Sequence, residues 1–127
     1  MPLLSKGGVT IKTILVVDDN EGIRRLLKEF LTQENYRVET ATNGREALQQ
    51  ITEKLPSLVL LDYKMPKKNG LQVLDELSNQ FPNLPVIMIT GYYEENEINK
   101  ARTKGVNYYI SKPFSLFELL ETIESII

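Results

Sequence analysis

Apolar positions follow two alternating patterns along most of the chain. The first pattern is a short, nearly continuous apolar run, which is typical of strands covered on both faces in a parallel sheet. The second is a longer stretch in which apolar residues recur every three or four positions, as they do on one face of a helix. Because the second apolar run alternates with polar residues, we predict that its strand lies at an edge of the sheet. The five runs cover residues 14–17, 37–41, 58–61, 86–89 and 108–110.

A helical pattern follows each of these runs. Asn43 and Ser115 are the predicted N-caps of the second and fifth helices, each with a glutamate three residues later that would complete a capping box. The third helix is expected to end before Pro82, and the fourth, a polar segment over residues 94–104, is expected to end before Gly105. The first helix has an apolar stripe formed by Ile23, Leu26, Leu27, Phe30 and Leu31.

Five strand–helix units in a chain of 127 residues predict a single α/β domain. We expect a (βα)5 fold with a doubly wound, parallel, five-stranded sheet, which residues 11–127 would build. Residues 1–10, which include Gly7 and Gly8, are predicted to form a flexible N-terminal arm.

The composition argues against several classes of function. The chain has no cysteine, which excludes disulfides and thiolate metal sites, and no histidine, which excludes a Ser-His-Asp triad. A net charge of −2 and a pI near 5.3 argue against a dedicated nucleic-acid-binding domain. The sequence contains no run that resembles a signal peptide or a membrane span, so we expect a soluble, cytoplasmic protein.

Polar residues follow the predicted strands at the points where the strands end. In a doubly wound sheet, ligands bind beyond the carboxyl ends of the strands. We therefore expect three carboxylates, one hydroxyl and one ammonium group to meet at one end of the sheet. The residues are Asp18 and Asp19 after the first strand, Asp62 after the third, Thr90 after the fourth and Lys112 after the fifth.

A cluster of this kind has a specific chemical use. Carboxylates about 4 Å apart repel one another by about 4 kcal/mol per pair at an effective dielectric constant of about 20. Mg²⁺ (or Mn²⁺) would relieve the repulsion, because such hard ions bind carboxylate and phosphate oxygens. A carboxylate beside the ion can then attack a phosphoryl donor. The ion, Lys112 and the Thr90 hydroxyl would neutralise and hydrogen-bond the transferred group.

Four short motifs resemble the signatures of the receiver domains of bacterial two-component response regulators. The resemblance extends from residue 13 to residue 127 and implies a CheY-like, flavodoxin-like fold with the strand order 2-1-3-4-5. The motifs are Val-Asp-Asp-Asn at residues 17–20, Leu-Leu-Asp-Tyr-Lys-Met-Pro at residues 60–66, Met-Ile-Thr-Gly at residues 88–91 and Ser-Lys-Pro-Phe at residues 111–114.

The resemblance implies a role for each acidic residue of the cluster. Asp62 matches the family's phosphoacceptor. Asp18 and Asp19 match the acidic pair that holds Mg²⁺, together with Asp62 and the main-chain carbonyl group of Lys64. A receiver domain catalyses its own phosphorylation and dephosphorylation and acts on partner proteins rather than on metabolites.

The resemblance also implies a conformational switch. Thr90 matches the hydroxyl residue that moves to bond the phosphoryl group, and Tyr109 matches the aromatic residue that changes rotamer with it. Lys112 matches the lysine that pairs with the phosphoryl group, and Pro113 follows it, typically through a cis peptide bond.

Several other interpretations stay open at this point. An acidic pair such as Asp18 and Asp19 is, by itself, more often a feature of a helix N-terminus, and Tyr109 could be a partly buried edge aromatic. A flavodoxin-like or nucleotide-binding enzyme could share the architecture, although the chain lacks a G-x-G-x-x-G motif and a Walker lysine motif. A Mg²⁺-dependent phosphatase typically has a second acid two residues after its nucleophile, where this chain has Lys64.

Among stand-alone receiver domains, the sequence is most similar to the intermediates of sporulation phosphorelays. It shares with them Gly-Ile-Arg at residues 22–24, Lys64 and Tyr92, but Tyr109 stands where they have a histidine. The expected partners are a histidine kinase and a histidine phosphotransferase or other phosphorelay protein. We expect a monomer with no nucleic-acid or membrane partner. Because the chain ends at Ile127, directly after the last helical pattern, a receiver taken from a larger transcriptional regulator is the alternative.

A relay needs a docking surface and a phosphoryl group that survives until it is transferred. The stripe on the first helix is predicted to centre near Ile23 and Phe30, which places Leu26 at one edge. We expect Gly22, Ile23 and Leu26 to form a partly exposed apolar patch beside Arg25, unless Leu26 belongs to the core. Two large residues, Lys64 and Tyr92, are expected to hinder the attack of water on the phosphoryl group.

Overall fold

The computed structural model describes residues 3–4, 10–65, 69–91, 99 and 108–127. Strands and helices alternate from Thr13 to Thr90. The fourth predicted helix lies outside the described residues except for Asn99, and Tyr92 lies outside them too. No helix within them is long and apolar enough to cross a membrane. The strands are β1 (Leu3–Leu4), β2 (Thr10–Ile11), β3 (Thr13–Val17), β4 (Arg37–Ala41), β5 (Leu58–Asp62), β6 (Val86–Thr90) and β7 (Tyr108–Ser111). The described helices are α1 (Glu21–Gln33), α2 (Gly44–Glu53), α3 (Gly70–Gln80) and α4 (Leu116–Ile126).

Strands β3 to β7 form one sheet in the order β4-β3-β5-β6-β7, and all its pairs are parallel. Counted from β3, this is the order 2-1-3-4-5, which confirms the predicted doubly wound fold. Strand β4 lies at an edge, as its alternating sequence pattern predicted. The strand order reverses between β3 and β5, and folds of this kind bind ligands in the crevice at that reversal.

The side chains of the central strands alternate between two apolar clusters, one on each face of the sheet. In β3, Leu15 and Val17 belong to one cluster, while Ile14 and Val16 belong to the other. Helices α2 and α3 contribute buried residues to the first cluster, and helices α1 and α4 to the second. This burial on both faces is why the strand sequences are nearly continuous apolar runs.

The buried face of α1 differs from the one predicted. Leu27 and Leu31 are buried, whereas the predicted centre, Ile23 and Phe30, is only half-buried. The helix packs against β3 and the edge strand β4, and this contact turns the stripe toward Leu27 and Leu31. Leu26 on the opposite side of the stripe is 47% exposed, so it is not a core residue.

Asn43 and Ser115 are N-caps, as predicted, and their side-chain oxygens accept hydrogen bonds from the N–H groups three residues later. The structure shows this half of each predicted capping box and not the other half. The carboxylate of Glu46 instead accepts a hydrogen bond from the Thr42 hydroxyl over 2.7 Å. A complete capping box, which the sequence analysis did not identify, begins α3 at Asn69.

Strands β1 and β2 pair in antiparallel register, with Leu3 opposite Ile11. They include part of the segment that was predicted to be an N-terminal arm. Residues 1, 2 and 5–9 lie outside the described residues, so the flexibility of the arm stays a prediction.

Gly70 allows α3 to begin in contact with the end of β5. Its N–H group donates a hydrogen bond to the carbonyl oxygen of Tyr63 over 2.8 Å. A Cβ atom at this position would lie 2.7 Å from the Cα atom of Tyr63 and 2.9 Å from the carbonyl oxygen of Asp62. These neighbours are main-chain atoms, so rotation of a side chain cannot relieve the contact.

We expect Gly70→Ala to lower the free energy of unfolding by about 1–3 kcal/mol, the usual cost of overpacking a buried position. Urea denaturation followed by circular dichroism measures this change. Gly91→Ala is a matched control, because a Cβ atom there would lie 3.7 Å from its nearest neighbour, in ordinary contact. The control is expected to change stability by no more than about 0.5 kcal/mol. Equal losses in the two variants would contradict this account of Gly70.

Candidate functional site

The predicted site residues meet at the carboxyl end of the sheet. Asp18 follows β3, Asp62 ends β5, Thr90 ends β6 and Lys112 follows β7. Asp18, Asp62 and Thr90 are only 3%, 4% and 7% exposed, respectively. Among the residues that the structure describes, they are the buried polar and charged side chains. The buried polarity of this part of the chain is thus concentrated at the reversal of strand order.

The three acidic side chains form one cluster. Asp18, Asp19 and Asp62 each offer a carboxylate oxygen, and these oxygens lie within 4.8 Å of one another. Asp19 is exposed, so the cluster opens to solvent on that side. Carboxylate oxygens at such distances suit a hard divalent cation. Lys64, whose carbonyl group the resemblance implies as a further ligand, donates a main-chain hydrogen bond to Asp62.

Lys112 approaches two of these carboxylates. Its Nζ atom lies 3.2 Å from Oδ1 of Asp62 and 3.9 Å from Oδ2 of Asp18. Its N–H group donates to the carbonyl oxygen of Thr90 over 2.7 Å, which joins the ends of β6 and β7. The peptide bond between Lys112 and Pro113 is cis, as the resemblance implied. The ammonium group is therefore held inside the acidic cluster.

Burial is the main influence on the pKa values of the two buried acids, Asp18 and Asp62. It raises the pKa of Asp62, the charge of Asp18 raises it further, and Lys112 opposes both effects. Burial also raises the pKa of Asp18, against the N–H group of Asn20 and the charge of Lys112. Lys112 therefore does not fully offset the effects of burial on the two carboxyl groups, and a further cation would favour their charged forms.

The loop between β3 and α1 is organised by Asn20. Its side chain caps α1 by accepting a hydrogen bond from the N–H group of Ile23 over 3.1 Å. Its own N–H group donates to Oδ1 of Asp18 over 2.9 Å. The helix cap is therefore Asn20, and neither acid of the pair serves as the cap. The sequence analysis missed this role, although an asparagine directly before a helical pattern is a known N-cap signal.

The two predicted switch residues lie on adjacent strands. Thr90 is buried at the end of β6. Tyr109 is half-buried on β7, pairs in register with Met88 and packs against the first apolar cluster. Both Thr90 and Tyr109 take part in further interactions. Their motion on phosphorylation stays a prediction.

The predicted docking patch lies at the start of α1, directly after the acidic pair. Gly22 is exposed, Ile23 is half-buried against the second apolar cluster, and Leu26 is 47% exposed. Arg25, next to Leu26, is also exposed. The apolar surface that a partner would need is thus present, and its use for docking stays a prediction.

Comparison with known proteins identifies the family. The model of the response regulator receiver domain matches residues 14–124. The chain belongs to this family. The match includes every predicted site residue, and it favours the receiver interpretation over a flavodoxin-like enzyme or a phosphatase.

Receiver domains similar to this one occur in proteins of different lengths. Sporulation initiation phosphotransferase F of Bacillus subtilis is 37% identical over 111 residues, which cover 87% of this chain and 90% of that protein. The probable transcriptional regulator ycf27 of Pyropia yezoensis is 43% identical over 114 residues, which cover 90% of this chain and 46% of that protein. The chain therefore spans about half the length of this regulator.

The solved structure of a CheY-like receiver domain protein from Methanospirillum hungatei confirms the fold. It matches this chain with a TM-score of 0.88 and 34% identity, and the match covers 91% of this chain and 92% of that one.

Proposed function

We propose that this receiver domain accepts a phosphoryl group on Asp62 in a Mg²⁺-dependent reaction and relays it to a histidine of a partner protein. The observation that carries the proposal is the geometry around Asp62. Its buried carboxylate has two further acids within 4.8 Å and the Lys112 ammonium group at 3.2 Å. A carboxylate nucleophile, an oxygen-rich cation site and a cationic partner for the phosphoryl group are the parts that the reaction needs.

The cluster fits Mg²⁺ by the chemistry of its donors. Asp18, Asp19 and Asp62 would hold the ion, with the carbonyl group of Lys64 as a further oxygen ligand. Burial raises the pKa values of Asp18 and Asp62, so it disfavours their charged forms, and a divalent cation would stabilise those forms. When bound, the ion supplies positive charge to the oxygens of the phosphoryl group.

The proposed donor is a phosphohistidine of a histidine kinase. A carboxylate oxygen of Asp62 attacks the phosphorus atom, the P–N bond breaks, and its electron pair remains on the imidazole nitrogen. The product is an acyl phosphate on Asp62, with Lys112 and the Thr90 hydroxyl as partners for its oxygens. In the relay step, a histidine nitrogen of the phosphotransferase attacks the same phosphorus, and Asp62 leaves as a carboxylate.

A relay role is supported by the similarity to a protein named a sporulation initiation phosphotransferase, which has nearly the same length. The second candidate is a receiver that controls an attached output domain, which the similarity to larger transcriptional regulators favours. The lifetime of the acyl phosphate distinguishes the two roles most directly, because a relay must keep its phosphoryl group until it meets the acceptor.

The proposal is tested by incubating the purified protein with acetyl phosphate and Mg²⁺ and measuring its intact mass. We expect the addition of one phosphoryl group, which peptide mapping should locate on Asp62. The same incubation with EDTA in place of Mg²⁺ is expected to leave the mass unchanged. Equal labelling in EDTA, or a label on another residue, would contradict the proposed reaction.

Lys112→Met is expected to tighten Mg²⁺ binding to the unphosphorylated protein. The ammonium group competes for the carboxylates of Asp62 and Asp18, at 3.2 and 3.9 Å. Its removal makes the free energy of Mg²⁺ binding more favourable by about 1 kcal/mol, which lowers the Kd about fivefold. This figure allows for solvent screening of the partly exposed lysine. Isothermal titration calorimetry measures the change. Weaker Mg²⁺ binding in the variant would show that Lys112 supports the ion rather than competing with it.

A further inference from the structure

Three hydrogen bonds with main-chain groups hold Asp18 in place in the acidic loop between β3 and α1. The N–H group of Asp18 donates to the carbonyl oxygen of Ala41 over 3.1 Å, and that of Asn20 donates to Oδ1 of Asp18 over 2.9 Å. The third bond comes from a helix side chain. Nη1 of Arg24 donates to the main-chain carbonyl oxygen of Asp18 over 2.7 Å. Arg24 thereby ties the start of α1 to the first residue of the acidic pair.

This bond acts on the main chain and not on the carboxylate. The cation that lowers the pKa of Asp18 is Lys112, while burial is the main effect that raises it. The Arg24 side chain is half-buried, and a charged donor makes one of the stronger hydrogen bonds in proteins. The planar guanidinium group also holds its acceptor in a defined direction. Its influence on the acidic pair is therefore one of position.

We propose that Arg24 is a positioning residue for the cation site. By fixing the main chain at Asp18, it keeps the carboxylates of Asp18 and Asp19 turned toward Asp62. The inference rests on the proposed function, because it concerns the Mg²⁺ ion that these acids would hold. Without the bond, the exposed Asp19 is the acid that turns away most easily, and the three oxygens no longer converge.

The test compares two neighbouring arginines. Arg24→Met removes the guanidinium group and keeps an unbranched side chain for packing. Arg25→Met makes the same change of charge at an exposed residue for which the described part of the chain shows no such bond. Isothermal titration of the full chain with MgCl₂, without a phosphoryl donor, measures the Kd.

We expect Arg24→Met to weaken Mg²⁺ binding about tenfold, as is usual when a residue that orients metal ligands is lost. Arg25→Met should change the Kd less than about twofold, because exposed charges are screened. Arg24→Lys should recover part of the affinity, since an ammonium group can donate one hydrogen bond but lacks the planar fork.

Urea denaturation of the metal-free variants separates positioning from loss of the fold. If Arg24→Met does not fold, Arg24→Lys decides: a Kd equal to that of the wild type overturns the proposal, and a weaker one supports it. Equal Kd values for Arg24→Met and Arg25→Met also overturn it. A wild-type protein that binds no Mg²⁺ and takes up no phosphoryl group overturns the proposed function itself. A wild type that binds Mg²⁺ no better than Arg24→Met overturns only the role of Arg24.

Discussion

Asp62→Asn is expected to take up no phosphoryl group and yet to be more stable than the wild type. The amide lacks the anionic oxygen that attacks phosphorus, so no label should appear at residue 62 with acetyl phosphate and Mg²⁺. Burial and the neighbouring charge of Asp18 both disfavour the charged form of the wild-type carboxylate. A neutral side chain of the same shape removes that cost, and the gain is about 1 kcal/mol in the absence of metal.

The pH dependence of this gain gives a second measurement. Asp62 has a folded-state pKa above its ordinary value of 3.8, so the native state binds a proton more tightly than the unfolded state. The cost of the charged form is therefore present at neutral pH and disappears as the pH falls through the raised pKa. The stability difference between Asp62→Asn and the wild type should shrink over the same range. Urea denaturation at a series of pH values without metal measures the difference.

Asp19→Asn provides a control within the same cluster. Its carboxylate is exposed, so the substitution should leave the stability of the metal-free protein nearly unchanged. It should weaken Mg²⁺ binding, because one of the few hard ligands is lost. A destabilised Asp62→Asn variant would mean that the 3.2 Å contact with Lys112 outweighs the cost of burying the charge.

The sheet could be predicted from the sequence because each central strand is buried on both faces. This burial requires continuous apolar runs such as residues 58–61. Few other structural elements require such runs. The cluster of Asp18, Asp62, Thr90 and Lys112 could be predicted for a related reason. Each of these residues directly follows or ends a strand, and parallel strands bring their carboxyl ends to one edge.

The remaining features depend on contacts that periodicity does not encode. The buried face of α1 is turned toward Leu27 and Leu31 because the helix packs on an edge strand, and a single helical stripe does not specify its neighbours. The bond from Arg24 to the main chain of Asp18 has no sequence signal, because the helical pattern predicts only that such an arginine is exposed to solvent. The contacts of Lys112 with both Asp62 and Asp18 depend on the distances between strand ends, which periodicity does not give.

The relay itself is tested at Leu26, on the exposed side of the apolar stripe of α1. Leu26 is 47% exposed on the first half of α1, close to the acidic pair, and an exposed leucine of this kind suits a partner helix. We expect Leu26→Ala to slow phosphoryl transfer to a histidine phosphotransferase about tenfold, the effect of losing about 1.4 kcal/mol of contact in the docked complex. Labelling by acetyl phosphate should be unchanged, because a small donor needs no docking surface.

Leu55→Ala is the matched control for Leu26→Ala. Leu55 is 61% exposed and precedes β5, so it lies at the amino end of the strand whose carboxyl end carries Asp62. The same loss of side chain, far from the site, should leave the transfer rate within about twofold of the wild type, as expected for a surface residue outside an interface. Rapid-quench measurements of the phosphorylated protein with the phosphotransferase give both rates. Wild-type transfer by Leu26→Ala would remove the docking role, and an acyl phosphate that hydrolyses within seconds would argue against any relay.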